Sequence, residues 1–337
     1  MDNEEHVKAL DNLGLYSTPW DGDPSKDRDK FIGGSDVGTI LGVNKFKSPY
    51  VLFLEKTGRI DPENVDDKLQ VRLGHKMEQV VAEIYEEETG TKVQKSNRSY
   101  RSKKYPFLVG HIDRKLVGPK KGLEIKTTSS WNKTDYKEGE IPPSHFYQCM
   151  FYMMITGIHD WDIATLRDNN EFYIMHVSWN EEIASEILYE CIEFWKCVES
   201  GVWDKPIDGS INTETAIGKA FPCNVDMIPQ ENLPVTIENR VDVIGSYFEL
   251  AQSIKQLETT KKSVENELKA ILGNNQVGFI GDEYKVTWIP KKRSAGIDID
   301  KLKEDHPEIN IEKYKKPQIE YREFKIAKIK KKEIKGE

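Results

Sequence analysis

The chain has 337 residues, a net charge of −8, and 37% hydrophobic and 10% aromatic residues. This length allows two domains. The acidic balance argues against nucleic-acid binding unless the positive charges are clustered. No apolar run approaches the ~20 residues that a membrane-spanning helix needs. The four cysteines fit no zinc-ligand spacing or disulfide framework, and the acidic N-terminus lacks the apolar region of a signal peptide. These features predict a soluble protein of the reducing cytoplasm.

The first part of the chain is predicted to be polar and then helical. Residues 1–27 form a polar N-terminal segment in this prediction. A glycine-rich stretch follows, and Ser35 or Asp36 is expected to be the N-cap of a helix that ends before Gly42. A second helix is predicted over 48–57, because it begins with a serine that can cap it and a proline at the first helical position.

A long amphipathic helix is predicted from Val71 to Gly90. Apolar residues recur there at helical spacing, and Glu78 falls at the border of the apolar face rather than in the middle of the solvent face. A solvated carboxylate at Glu78 is the alternative. The next residues, 91–105, carry six basic residues and are predicted to hold one strand.

Two strands joined by a Gly-Pro turn are predicted within Phe107–Ser129. Asp113 lies in the first strand, and Glu124 and Lys126 flank Ile125 in the second. Because side chains alternate between the two faces of a strand, Glu124 and Lys126 point the same way and Ile125 points the other way. Folding back at the turn would bring Asp113 beside Glu124.

Two carboxylates and one ammonium group at a sheet edge suggest a specific chemistry. Carboxylate oxygens are ligands that Mg²⁺ prefers. A lysine beside such a metal can orient a water molecule or stabilise charge on a phosphate. The alternative, left open by this hairpin alone, is a solvated hairpin with cross-strand ion pairs.

Helices and strands continue to alternate after the hairpin. A buried helix is predicted from His145 to Ile155, with Gln148 and Tyr152 four residues apart on one face. A second hairpin follows within Trp161–Val177, and a long amphipathic helix is predicted from Glu181 to Ser200. This order predicts a mixed α/β core.

The core is predicted to span residues 28–205 and to be followed by a separate region. Four prolines within 206–235 predict a linker. Residues 236–337 are expected to form a long helix and then a basic β-hairpin region. The long helix carries a heptad seam that fits a helical hairpin, a partner helix or the core. The tail from Lys325 to Lys335 alternates basic and apolar residues, which fits an edge strand, a nucleic-acid contact or a disordered basic tail.

Five short motifs follow one another between residues 28 and 203. They are R-x6-S-D (Arg28, Ser35, Asp36), G-x3-E (Gly74, Glu78), G-x2-D (Gly110, Asp113), E-x-K (Glu124, Lys126) and Q-x3-Y (Gln148, Tyr152). In this combination and order the chain resembles the YqaJ-type phage recombinase nucleases, relatives of lambda exonuclease in the PD-(D/E)XK superfamily. One departure is that Ile112, rather than proline, precedes Asp113. The resemblance implies a restriction-endonuclease-like α/β core, with a central mixed sheet flanked by helices.

The resemblance also implies an activity and its partners. Such enzymes hydrolyse phosphodiester bonds of linear double-stranded DNA with Mg²⁺, Mn²⁺ being possible, and with two ions at the site. They work from free 5′ ends and leave 3′ overhangs for a single-strand annealing protein. Relatives that form rings around DNA imply a homotrimer.

Each candidate site residue receives a role from the same resemblance. Metal ligands would be Glu78, Asp113, Glu124 and the carbonyl oxygen of Ile125. Lys126 would hold or activate the attacking water, and Gln148 would orient Lys126 or the DNA. The remaining residues would contact the DNA or its terminal 5′ phosphate: Arg28, Ser35 and Tyr152.

Two alternatives remain open from the sequence. The first is another nuclease of the superfamily, either an endonuclease or a RecB-like domain. Its iron–sulfur version is disfavoured because all four cysteines follow Lys126. The second is a catalytically silent DNA-binding protein, which is disfavoured because Glu78, Asp113, Glu124 and Lys126 are all present.

Overall fold

The computed structural model describes residues 17–20, 27–65, 67–129, 140–222, 241–292 and 298–315. The side chain of Asp113 and the tail from Lys325 to Lys335 lie outside the described part. The chain divides into two compact units, Met1–Pro222 and Cys223–Glu337.

A six-stranded mixed sheet forms the centre of the first unit. Its strands lie in chain order, and β4 and β5 run parallel while the other neighbours are antiparallel. The strands are β1 (Ser17–Trp20), β2 (Val93–Ser102), β3 (Val109–Leu116), β4 (Gly122–Thr128), β5 (Asp160–Arg167) and β6 (Glu171–Ser178).

Helices cover both faces of this sheet. They are α1 (Gly34–Ile40), α2 (Pro49–Lys56), α3 (Leu69–Thr89), α4 (Pro143–Thr156), α5 (Glu181–Ser200) and α6 (Ile211–Ala220). Successive residues of β5 enter two different apolar clusters, Ile163 with α4 and α5 on one face, and Ala164 with α3 on the other. The predicted fold class, a mixed α/β core with a central mixed sheet flanked by helices, is confirmed.

The helix limits follow from local chemistry, with one correction. The hydroxyl of Ser48 accepts a hydrogen bond from the backbone N–H of Val51 and caps α2, as predicted. The predicted caps of α1 are wrong, because Gly33 is the N-cap. Asp36 lies inside α1, where its carboxylate accepts a hydrogen bond from the backbone N–H of Gly33 at 3.0 Å.

Two further elements differ from the sequence-based expectation. The linker predicted over 206–235 contains α6, whose Thr213 is buried and bonded to the hydroxyl of Ser48 at 2.7 Å. This bond joins two hydroxyl groups, which leave no apolar periodic signal in the sequence. The four-residue β1 was also not predicted, because its hydrogen-bonded partner β2 lies about eighty residues later.

The apolar face of α3 is narrower than its pattern suggests. Val81 and Tyr85 are buried, whereas Leu73 and Val80 are 48% and 39% exposed. Glu78 therefore stands on a half-open part of the helix, near the border where it was predicted.

The second unit is described by itself. It contains the 32-residue helix α7 (Val241–Leu272), the hairpin β7–β8 (Val277–Ile280 and Tyr284–Thr287) and the short helix α8 (Ile299–Asp305). The long helix and the hairpin were predicted. None of the helices in the described part of the chain has the length and hydropathy that crossing a bilayer requires.

Candidate active site

The candidate site lies on β4, where alternation presents two charged side chains on one face. The ammonium group of Lys126 lies 2.7 Å from a carboxylate oxygen of Glu124. The Glu124 side chain is only 4% exposed and that of Lys126 is 22% exposed. Ile125 packs against the apolar cluster on the opposite face. The predicted arrangement of this strand is confirmed.

The backbone of β3 places Asp113 next to this pair. Arg114 is paired with Leu123 across the two strands, and Asp113 and Glu124 are the next residue on each strand. The predicted juxtaposition thus holds for the backbone positions. Contact between the two carboxylates stays a prediction.

Gln148 on α4 fixes the position of Lys126. Lys126 donates a hydrogen bond to the amide oxygen of Gln148 at 2.9 Å, and the amide nitrogen of Gln148 donates one to the hydroxyl of Tyr152 at 3.0 Å. Gln148 is 9% exposed, so its partners are needed to satisfy a buried amide. The structure brings Lys126, Gln148 and Tyr152 into one chain of hydrogen bonds.

Tyr152 stands behind Gln148, close to the backbone of α1. A Cβ atom added to Gly34 would lie 2.5 Å from the ring of Tyr152, so only glycine leaves room for that ring. Tyr152 is 7% exposed. Its geometry suits support of Gln148, and its predicted contact with DNA or phosphate stays a prediction.

Arg28 and Ser35 lie side by side, as their shared predicted role requires. The guanidinium of Arg28 donates to the hydroxyl of Ser35 at 2.6 Å and lies 3.2 Å from a carboxylate oxygen of Asp36. The Arg28 side chain is 46% exposed, so an anion from solvent can reach it. A guanidinium and a hydroxyl are suitable donors for a phosphate.

One cavity extends from Ser35 of this pair to the β4 site. It measures about 370 Å³, and Ser35, Lys126 and Gln148 all contribute to its lining. The other lining residues are Val43, Asn44, Lys45, Phe46, Thr127, Thr128, Pro142, Pro143, Ser144 and His145. Residues 43–46, which follow α1, and residues 142–145, at the start of α4, had no signal of function in the sequence.

Glu78 faces the same strand across a second cavity of about 310 Å³. Lys126 and Ile125 line this cavity together with Glu78 and Gly74. Glu78 is 29% exposed and lies 3.2 Å from the ring nitrogen of His75. The predicted third carboxylate therefore approaches β4 from α3, on the side away from Ser35.

The oxygen donors around β4 are of the type that suits a hard divalent cation. The carboxylates of Glu78 and Glu124 and the carbonyl of Ile125 are ligands that Mg²⁺ takes. Among the described side chains, no group of three or more His, Cys, Asp or Glu is placed to hold a metal ion. Asp113 is outside that set, so a site for Mg²⁺ or Mn²⁺ stays a prediction that depends on Asp113.

Two buried groups near the site, Cys149 and Asp36, have pKa values shifted from their usual range. Burial, reinforced by the nearby carboxylate of Glu124, raises the pKa of the Cys149 thiol well above its usual value. Cys149 therefore stays protonated and does not act as a thiolate nucleophile. Burial also acts to raise the pKa of Asp36, but the charges of Lys56 and Arg28 outweigh it and the pKa is lowered. Asp36 remains a carboxylate.

Lys56 is a residue near the site that the sequence did not single out. Its side chain is 3% exposed, and it lies 3.0 Å from a carboxylate oxygen of Asp36. Burial lowers the pKa of Lys56, and Asp36 opposes that effect. The only signal in the sequence was a lysine at the end of a mostly apolar helix.

Fold and site define the chain as a mixed α/β protein, in which the central sheet carries Glu124 and Lys126 of the E-x-K motif. Residues 25–159 match the YqaJ-like viral recombinase domain. The chain is 32% identical over 305 residues to the uncharacterised protein YqaJ of Bacillus subtilis (strain 168), covering 90% of this chain and 93% of that protein. The chain belongs to the YqaJ-like viral recombinase family.

Two solved structures are similar over part of the chain. An alkaline exonuclease, LHK-Exo from Laribacter hongkongensis, has a TM-score of 0.43 and 17% identity, covering 59% of this chain and 94% of that one. A phage-related exonuclease from Haemophilus somnus 129PT has a TM-score of 0.38 and 11% identity, covering 51% of this chain and 96% of that one. In both cases nearly the whole solved chain corresponds to little more than half of this one.

Proposed function

We propose that the chain is a divalent-metal-dependent exonuclease that hydrolyses phosphodiester bonds of linear double-stranded DNA from free 5′ ends. One observation carries the proposal: Ser35, Lys126 and Gln148 line a single cavity, and Glu124 contacts Lys126 at its edge. Membership of the YqaJ-like viral recombinase family supports a nuclease. A phosphate held at one end of the cavity would place the following phosphodiester near Lys126.

Four groups would hold the metal in this proposal: the carboxylates of Glu78, Asp113 and Glu124, and the carbonyl of Ile125. Two Mg²⁺ or Mn²⁺ ions, when bound, would stabilise the attacking and leaving oxygens of an in-line displacement. Glu124 is nearly buried, so its carboxylate is held in one place rather than sampling solvent. A site held this rigidly loses little freedom when it binds its ligand.

Lys126 acts as a fixed positive charge facing both cavities. Its contacts with Glu124 and Gln148 hold the ammonium group in place. A water molecule or phosphate oxygen that enters either cavity meets this group. Lys126 therefore orients the water for attack on phosphorus and stabilises the negative charge that develops on the phosphate oxygens.

The chemistry of the product explains why a 5′-phosphate site would be useful. The phosphodiester that links the terminal nucleotide to the next one is cleaved. Water adds its oxygen to the phosphorus, and the bond from phosphorus to the O3′ atom of the terminal nucleotide breaks. O3′ leaves with a proton, and the shortened strand keeps a new 5′ phosphate. Each cleavage regenerates the group that Arg28 and Ser35 are proposed to bind.

The same proposal includes partners and a place in the cell. The 3′ overhangs left behind would be substrates for a single-strand annealing protein. A homotrimeric ring around DNA is the assembly that the resemblance implies. A cytoplasmic location, in a bacterium or a phage-infected host, would bring the enzyme to this substrate.

Digestion of linear and covalently closed duplexes tests the function. Linear DNA labelled at the 5′ end should lose its label before DNA labelled at the 3′ end, and closed circles should persist. Digestion of linear DNA should stop when EDTA removes the metal. Cutting of closed circles would instead show an endonuclease, and Mg²⁺-supported DNA binding without release of nucleotides would show a silent binding protein.

Replacing Arg28 tests recognition of the terminal phosphate. Arg28→Ala should lower kcat/KM on 5′-phosphorylated duplexes by about 10–100-fold, because a hydrogen bond to a charged group contributes ~1.5–3 kcal/mol. Duplexes with 5′-hydroxyl ends should be affected little. Lys30→Ala is a matched control, since Lys30 is an exposed cation of the same segment and pairs with Asp27. Equal losses on both kinds of end would rule out this role for Arg28.

A further inference from the structure

Next to the Arg28 site lies a buried ion pair, Lys56 with Asp36, that does not line the cavity. Lys56 comes from the end of α2 and Asp36 from inside α1, twenty residues apart in the chain. Their side chains are 3% and 9% exposed. Neither residue lines the cavities beside β4. A buried ion pair seldom raises stability above that of an apolar pair, so its presence beside Arg28 suggests a role other than stability.

The three acceptors of Lys56 all belong to the segment that carries Arg28. The ammonium group donates to the backbone carbonyl of Arg28, to that of Phe31 at 2.6 Å, and to the Asp36 carboxylate at 3.0 Å. An ammonium group has three protons, and three acceptors satisfy them. Lys56 therefore fixes the backbone at Arg28 directly.

Asp36 fixes the other end of the same arginine. One of its carboxylate oxygens lies 3.2 Å from the guanidinium of Arg28, and the other accepts from Lys56. The buried ring of Phe31 stabilises both cations, because Arg28 and Lys56 each lie within 6 Å of its centroid. Arg28 is thus held at its backbone and at its guanidinium, while its outer side stays open to solvent.

We propose that Lys56 and Asp36 are positioning residues that hold Arg28 in the orientation that binds the terminal 5′ phosphate of a DNA strand. This inference rests on the proposed function. Asp36 neutralises the buried Lys56, so the net positive charge of the cluster resides on Arg28, where an anion can reach it. Preference for phosphorylated ends then depends on two residues that do not touch DNA.

The test is the preference ratio, kcat/KM on 5′-phosphorylated duplex divided by kcat/KM on 5′-hydroxyl duplex. Lys56→Met should lower this ratio at least tenfold, mainly through a higher KM for phosphorylated ends. The rate on hydroxyl ends, expressed per folded molecule, should stay near that of the wild type. Lys92→Met is the matched control, because Lys92 is an exposed lysine paired with Glu86 and should leave the ratio unchanged.

Two combined variants separate positioning from folding. Asp36→Asn with Lys56→Met leaves no unpaired buried charge, so it should fold and still lose the preference. Adding Lys56→Met to Arg28→Ala should not lower the ratio further, because Lys56 acts only through Arg28. Equal losses on both kinds of end, or a further drop in the Arg28→Ala background, would overturn the inference. A wild-type enzyme without any preference for phosphorylated ends would instead overturn the proposed role of Arg28, and this inference with it.

Discussion

Lys126→Ala should reduce DNA hydrolysis by about 10³-fold, the loss expected when a preorganised donor is removed from a developing negative charge. DNA binding should be largely retained, because the proposed phosphate contacts of Arg28 and Ser35 do not involve Lys126. The measurements are release of nucleotides in Mg²⁺ and binding of an end-labelled duplex in EDTA. This variant tests the most specific element of the site, the E-x-K strand.

Two comparisons make the result interpretable. Lys120→Ala removes an exposed lysine from the turn of the same hairpin and should leave hydrolysis unchanged. Lys126→Arg keeps the charge but replaces a compact ammonium with a planar group of different hydrogen-bond geometry, and should remain inactive. Loss of binding together with hydrolysis would show that Lys126 has a structural role. Near-normal hydrolysis in Lys126→Ala would remove it from the mechanism.

The parts of the site that the sequence predicted are those that depend on local rules. Glu124 and Lys126 share a face because side chains alternate along any strand. Gln148 and Tyr152 share a face because they are four residues apart on a helix. Ser48 caps α2 through a hydrogen bond to a backbone group three residues later. Each of these relations spans only a few residues, so it is visible in the pattern.

Contacts between segments that are distant in the chain could not be predicted from such local patterns. The hydrogen bond from Lys126 to Gln148 joins residues 22 apart and was expected only from the family resemblance. The pair of Lys56 with Asp36, which joins residues 20 apart on two helices, was not predicted. The cap of α1 was misassigned for a related reason. Asp36 is a strong N-cap type, but its carboxylate already binds Lys56 and Arg28, which fixes it inside the helix. Asp36 still serves the start of α1, but from its third position, where its carboxylate accepts a hydrogen bond from the backbone N–H of Gly33.

The same buried pair gives the largest expected change in stability. Asp36→Asn should destabilise the first unit by about 3–5 kcal/mol, because it leaves the ammonium group of Lys56 buried without its counter-charge. For a unit of this size that corresponds to a fall in melting temperature of roughly 10 °C. Thermal unfolding followed by circular dichroism measures it. Glu63→Gln is the control, since Glu63 forms an exposed ion pair with Lys68 and its loss should have little effect.

The stability difference between the wild type and Asp36→Asn should depend on pH in the way that the charge on Asp36 requires. The folded state lowers the pKa of Asp36 below the unfolded value of ~3.9. Its contribution is therefore fully present above the unfolded pKa and is lost as the pH falls through the folded pKa. The stability difference between the wild type and Asp36→Asn should stay constant from about pH 8 to pH 5 and shrink below about pH 4. A difference that persists unchanged in acid would mean that the shape of the side chain, rather than its charge, is what Lys56 and Arg28 require.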